Sequence, residues 1–107
     1  VSRINGCVYC ASVHAQRFEQ LAKRNEIVRD VFEDLATAAK NERDAAVIEV
    51  ATALTRDVSG FDADQLQVLK DQGFNEVEML DLIHSVSVFG WANRLMQNLG
   101  EPVFPKE

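Results

Sequence analysis

Three features of this chain predict an all-α fold. Alanine, leucine, glutamate and glutamine are frequent, whereas glycine and proline number only 5 and 2 among 107 residues, a composition that suits helix interiors and supplies few breakers. Apolar residues recur at spacings of three and four, the period of a single helix face. Polar caps and glycine stops bracket those stretches.

Val1 to Ile4 reads as the end of an element already under way, so the expectation is one domain over 1–107 that lacks upstream residues. Asn5-Gly6 interrupts it. From Cys7 the pattern is helical to about Arg24, with Val13, Phe18 and Leu21 apolar, and Asn25 either ends that helix or caps the next. Ile27, Val28, Val31, Phe32 and Leu35 outline a short amphipathic segment.

Asn41 with Asp44 reads as an N-cap and acidic first turn, opening a helix to about Arg56 through Ala45, Val47, Ile48, Val50, Ala51 and Leu54. Glu42, Glu49 and Arg56, a heptad apart, mark its solvent face. Ser59-Gly60 is a loop. Asp62 with Gln65 fits a reciprocal cap for a short helix that carries Leu66 and Leu69 and stops at Gly73.

Asn75 with Glu78 repeats that start signal for the longest element, which runs to about Leu99 and is stopped by Gly100 and Pro102. It is apolar over a wide arc: Val77, Leu80, Ile83, Phe89, Ala92 and Leu99 on one side, with Met79, Leu82, Val86, Trp91, Leu95 and Met96 spreading round it. A helix apolar on most sides is central to its fold, pressed against another subunit, or both. We expect both.

The formal net charge of -6 disfavours a phosphate backbone as partner, so no nucleic acid is expected. No apolar run reaches the roughly 18 residues of a membrane span, and no basic-then-apolar leader is visible. The expected compartment is therefore the reducing cytoplasm, where paired cysteines are usually catalytic or metal-binding.

Both cysteines and one of the two histidines fall within Cys7-Val8-Tyr9-Cys10-Ala11-Ser12-Val13-His14. A disulfide closing so short a loop restrains the unfolded chain little, so the pair points to chemistry, either thiol redox or metal binding. At i, i+3 and i+7 of a helix, Cys7, Cys10 and His14 share one face. A first-turn position favours the thiolate, lowering thiol pKa values to roughly 3.5 to 7.5 in such settings. His14 can take or relay the proton, and the second sulfur can capture a sulfenic acid as a disulfide.

A structural zinc site needs four ligands and this helix offers three, with His84 the one other histidine, so zinc is the minor reading. Haem attachment needs histidine directly after the second cysteine, where Ala11 stands. No cofactor is expected.

The stretch from Val1 to His14 resembles the signature of the alkylhydroperoxidase D-like group within the carboxymuconolactone decarboxylase superfamily. The segments Gly73 to Glu78, Phe89 to Leu95 and Leu99-Gly100 resemble that group's closing helix, particularly in its peroxidase-related branch. The resemblance implies an alkylhydroperoxidase D-like helical domain that assembles into homo-oligomers, often trimers or hexamers, with active sites near subunit contacts.

It also implies an antioxidant oxidoreductase that reduces organic hydroperoxides without metal or haem, with electrons returned by a lipoyl or thioredoxin-like dithiol donor. Cys10 then corresponds to the peroxide-attacking thiol, Cys7 to its disulfide partner and His14 to the proton relay. Decarboxylases of the superfamily lack the cysteine pair, which counts against lactone decarboxylation. Tyr9 stands where well-characterised members carry a histidine, and their relay glutamate would precede Val1.

The alternative, from another class, is a helical oligomeric redox sensor or binding module whose cysteines are not a peroxidase site. His84 is expected to be a packed histidine, Asn93 and Arg94 to be structural, and Phe89, Trp91 and Met96 to be core or interface.

Overall fold

The computed structural model describes residues 1–24, 26–34 and 38–100, and among them every regular element is helical. In order these are α1 (Ser2–Asn5), α2 (Val8–Ala22), α3 (Glu26–Glu33), α4 (Glu42–Arg56), a 3-10 turn (Ala63–Leu66), α5 (Gln67–Asp71) and α6 (Glu76–Leu99). The expectations for Asn25, Leu35 and Pro102 lie outside the described residues.

The starts follow the polar signals. Asn41 Oδ1 accepts from the Asp44 amide at 2.8 Å to open α4. Asn75 and Glu78 form a full capping box at α6, each side chain accepting from the other's backbone N–H, at 2.9 and 3.0 Å. Asp62 and Gln65 form the equivalent box, but on a 3-10 turn that leads into α5 rather than on an α-helix directly. The stops follow as well. Gly73 takes the left-handed φ of 83° after α5, a conformation that favours glycine. Lys23, in the same region at φ 60°, ends α2.

The 24-residue α6 is the spine, about 36 Å long at 1.5 Å per residue. Along its first half, Met79 packs with Ala46 and Val50 of α4 and with Leu69 of α5 in a buried hydrophobic cluster, walled by Val47, Phe61, Leu66, Phe74 and Leu82. Its second half carries α1 and α2. The inward stripe runs Met79, Leu82, Val86 and Asn93, at the three- and four-residue spacing of one face.

The apolar arc of α6 divides differently from the sequence expectation. Val77, Leu80, Val88, Trp91, Leu95 and Leu99 are exposed, and together they form a second stripe about opposite the first at 100° per residue. His84 belongs to it and is exposed, not packed. Trp91 is 64% exposed, so it contributes nothing to the core of this chain. Periodicity identified the apolar positions, but two opposed apolar stripes on one helix read as a single broad arc.

No helix of the described residues is long and apolar enough to cross a membrane.

Two substitutions calibrate this frame in urea unfolding. Leu69→Ala, at a fully buried side chain, should cost about 3 kcal/mol through lost burial and a residual cavity. Asn75→Ala should cost about 1 kcal/mol through the lost cap.

Candidate functional site

Cys7 is the N-cap of α2 and lies in extended backbone, while Cys10 is inside the first turn. The sequence placed both cysteines in that turn; the chain instead enters it from α1 through Gly6, at φ 72°. That left-handed conformation suits glycine, and it reverses the backbone so that Cys7 follows at the very start of α2. The Cys10 amide donates to Cys7 Sγ at 3.3 Å. Cys7 thus holds the place that serine or aspartate usually takes at a helix start, where unpaired N–H groups favour negative charge.

Cys7 and Cys10 are paired as a disulfide with their Cα atoms 5.4 Å apart. Both are buried, at 1% and 4% exposure. Cys10 Sγ also approaches the Ala92 carbonyl of α6 at 3.9 Å, so the sulfurs lie in the seam between α2 and α6.

Beside that seam a buried amide holds α1 to α6. Asn93, 1% exposed, accepts from Asn5 Nδ2 at 3.0 Å through Oδ1 and donates to Ser2 Oγ at 2.9 Å through Nδ2. Gln97, one turn on, donates to the Asn5 carbonyl. Four residues are too few for a stable isolated helix, so α1 depends on these bonds, and with it the turn that presents Cys7. Behind Cys7, the Tyr9 ring lies against Gly100; a Cβ there would sit 2.8 Å from ring carbons. Gly100 therefore serves a close approach as well as a stop.

His14 is exposed and packs edge-on against Phe89 with ring centroids 4.6 Å apart. Among the described residues no hydrogen bond joins it to either sulfur. It stands about 40° round the helix from Cys10 at 100° per residue, on the way to the face formed by Ala11, Ala15 and Phe18. That face does not pack on α6 alone. With Val1, with Ser2 and Arg3 of α1, with Ile27, Val28, Val31 and Phe32 of α3, and with Phe89 of α6, it lines a partly open apolar cavity of about 310 Å³.

The predicted triad is thus split. The cysteines are together in the α2–α6 seam, and His14 turns toward the cavity. Phe89, expected to be core or interface, is instead half-buried in the cavity wall. Arg94 bonds within its own helix, to the Gly90 carbonyl at 3.0 Å, whereas Asn93 has the structural role expected of it. His84 lies eight residues before Ala92 along α6, about 12 Å, far from completing a ligand set with the cysteines.

Among the described residues no group of three or more His, Cys, Asp or Glu side chains is arranged to hold a metal ion. The cavity itself had no signal in the sequence, because its lining comes from four elements that only packing brings together.

No protein-family model matches the chain, and no curated protein matches it.

Asn93→Ala would strip Asn5 Nδ2 and Ser2 Oγ of their buried partner. It should cost about 2 kcal/mol and raise amide exchange selectively in residues 2–10. Unchanged exchange there would refute the clamp.

Proposed function

We propose that this chain is a thiol-dependent oxidoreductase of the alkylhydroperoxidase type, acting on organic hydroperoxides in the reducing cytoplasm. The observation that carries this reading is the Cys7–Cys10 pair at disulfide distance at the start of α2, one turn ahead of His14. A redox-active pair needs two sulfurs that can join without moving the backbone, and these Cα atoms lie within the range that a disulfide spans.

In the reduced enzyme Cys10 attacks the distal peroxide oxygen as thiolate. The O–O bond breaks, the alcohol leaves with a proton managed by His14 through water, and Cys10 becomes a sulfenic acid. Cys7 then attacks the Cys10 sulfur, forming the disulfide and releasing water. A dithiol donor of lipoyl or thioredoxin type returns two electrons and two protons, oxidising itself to a disulfide. The net change is hydroperoxide plus dithiol to alcohol, water and disulfide.

The resemblance of the first fourteen residues to the alkylhydroperoxidase D-like signature supports this reading. The exposed stripe Val77, Leu80, Val88, Trp91, Leu95 and Leu99, interrupted by His84, supports the homo-oligomer that the same resemblance implies, a trimer or hexamer, since an exposed and largely apolar face of that length calls for a partner.

A second reading draws on a different observation. Both sulfurs are buried and His14 makes no hydrogen bond to them, an arrangement suited to a redox sensor that switches once rather than a site that turns over.

Steady-state consumption of cumene hydroperoxide with a dithiol donor separates the two. Multiple turnovers that vanish in Cys10→Ser are expected. Turnover surviving in Cys10→Ser would overturn the assignment of the nucleophile, and a single stoichiometric oxidation of wild type would favour the sensor.

A further inference from the structure

The cavity beside His14 has a charge pattern at odds with the rest of the chain. The sequence carries 17 acidic residues against 11 lysines and arginines, yet among the described residues that line the cavity there is no carboxylate, and Arg3 is the one permanently charged side chain. Arg3 Nε donates to the Phe32 carbonyl at 3.2 Å, which ties α1 to the end of α3 and sets the guanidinium at the rim. Its Nη groups meet no carboxylate among the described residues. The other lining side chains are apolar apart from Ser2 and His14, and Ser2 Oγ is already engaged by Asn93.

The geometry points to this cavity as the binding site for a small apolar molecule that bears a carboxylate. The apolar body lies between Phe18, Val31 and Phe89, and the carboxylate meets Arg3. A volume of about 310 Å³ is at the small end of ligand pockets, which are mostly apolar with a few polar groups that set orientation. A guanidinium whose Nη groups meet no carboxylate suits a planar carboxylate ligand, whereas a cationic ligand finds no carboxylate among the described lining residues to offset the loss of its hydration.

Resting on the proposed peroxidase activity, the same site specifies the substrate class: a hydroperoxide of a short- or medium-chain carboxylic acid. Held by Arg3, its apolar portion runs past His14, which stands between the cavity and the sulfur-bearing face of α2. Ala15, on the same wall, leaves the room that the ligand fills.

Octanoate is a suitable probe, because it has the apolar chain and the carboxylate but no peroxide bond, so its binding is independent of the thiols. Calorimetric titration of the full chain should show octanoate binding at least about tenfold more tightly than octylammonium, one factor of ten being the scale of a single charge-assisted contact. Arg3→Gln should weaken octanoate about tenfold while leaving 1-octanol unchanged, and Ala15→Trp should abolish binding of both.

Circular dichroism and thermal unfolding establish that each variant is folded; the Arg3→Gln comparison decides the matter even if Ala15→Trp fails to fold. No octanoate binding, equal binding of octylammonium, or an unchanged Arg3→Gln would overturn the assignment. If octanoate binds as expected and wild type turns over no hydroperoxide, the peroxidase reading falls and the cavity's ligand class stands. If hydroperoxides are turned over, octanoate should inhibit competitively, and inhibition of any other kind would overturn the cavity as the substrate site.

Discussion

The buried side chain of Asn93 is the constraint on which the N-terminal half of this structure depends. An amide removed from water must find partners for its carbonyl and its N–H groups or destabilise the fold. Asn93 finds them in Asn5 and Ser2, on either end of a helix too short to stand alone. Because α1 is held there, Gly6 can reverse the chain, Cys7 can cap α2, and Arg3 can reach across to the end of α3. The cysteine pair and the cavity rim are therefore both set by one polar contact on α6.

Around that contact α2 separates two environments. Its inner side presents Cys10 to the Ala92 carbonyl, in a seam that excludes water. The side carrying Ala11, Ala15 and Phe18 faces an apolar cavity, with His14 between the two. Cysteines at 1% and 4% exposure are reached by a reactant only when neighbouring groups move aside, so the thiol chemistry proposed above would require local opening of the α1–α2–α6 packing. The short α1 is the element of that group with the least structure of its own, and the Asn93 bonds that hold it oppose such opening.

Much of the helical outline was legible in the residues. Asn41, Asp62 with Gln65, and Asn75 with Glu78 act where they were expected to act, since capping is a local matter between a side chain and amides two or three residues away. The solvent face marked by Glu42, Glu49 and Arg56 is exposed for the same local reason. The CxxC spacing likewise anticipated a pair close enough to bridge. The positions of His14, Phe89, Trp91 and His84 were harder to read. Which side of α2 or α6 a residue meets is decided by the neighbouring helix, and spacing along one helix says nothing of that neighbour.

The sequence by itself determined the all-helical character, the helix starts and stops, and the placing of two sulfurs at the beginning of α2, because each depends on contacts within a few residues. Only the tertiary structure decided that α6 would bury one apolar stripe and expose its opposite. The same holds for His14, which faces Phe89 rather than the sulfurs, and for the cavity that α1, α2, α3 and α6 form with Arg3 at its rim. Those outcomes come from contacts between residues as far apart as Asn5 and Asn93, set by how the helices pack and how buried polar groups are satisfied.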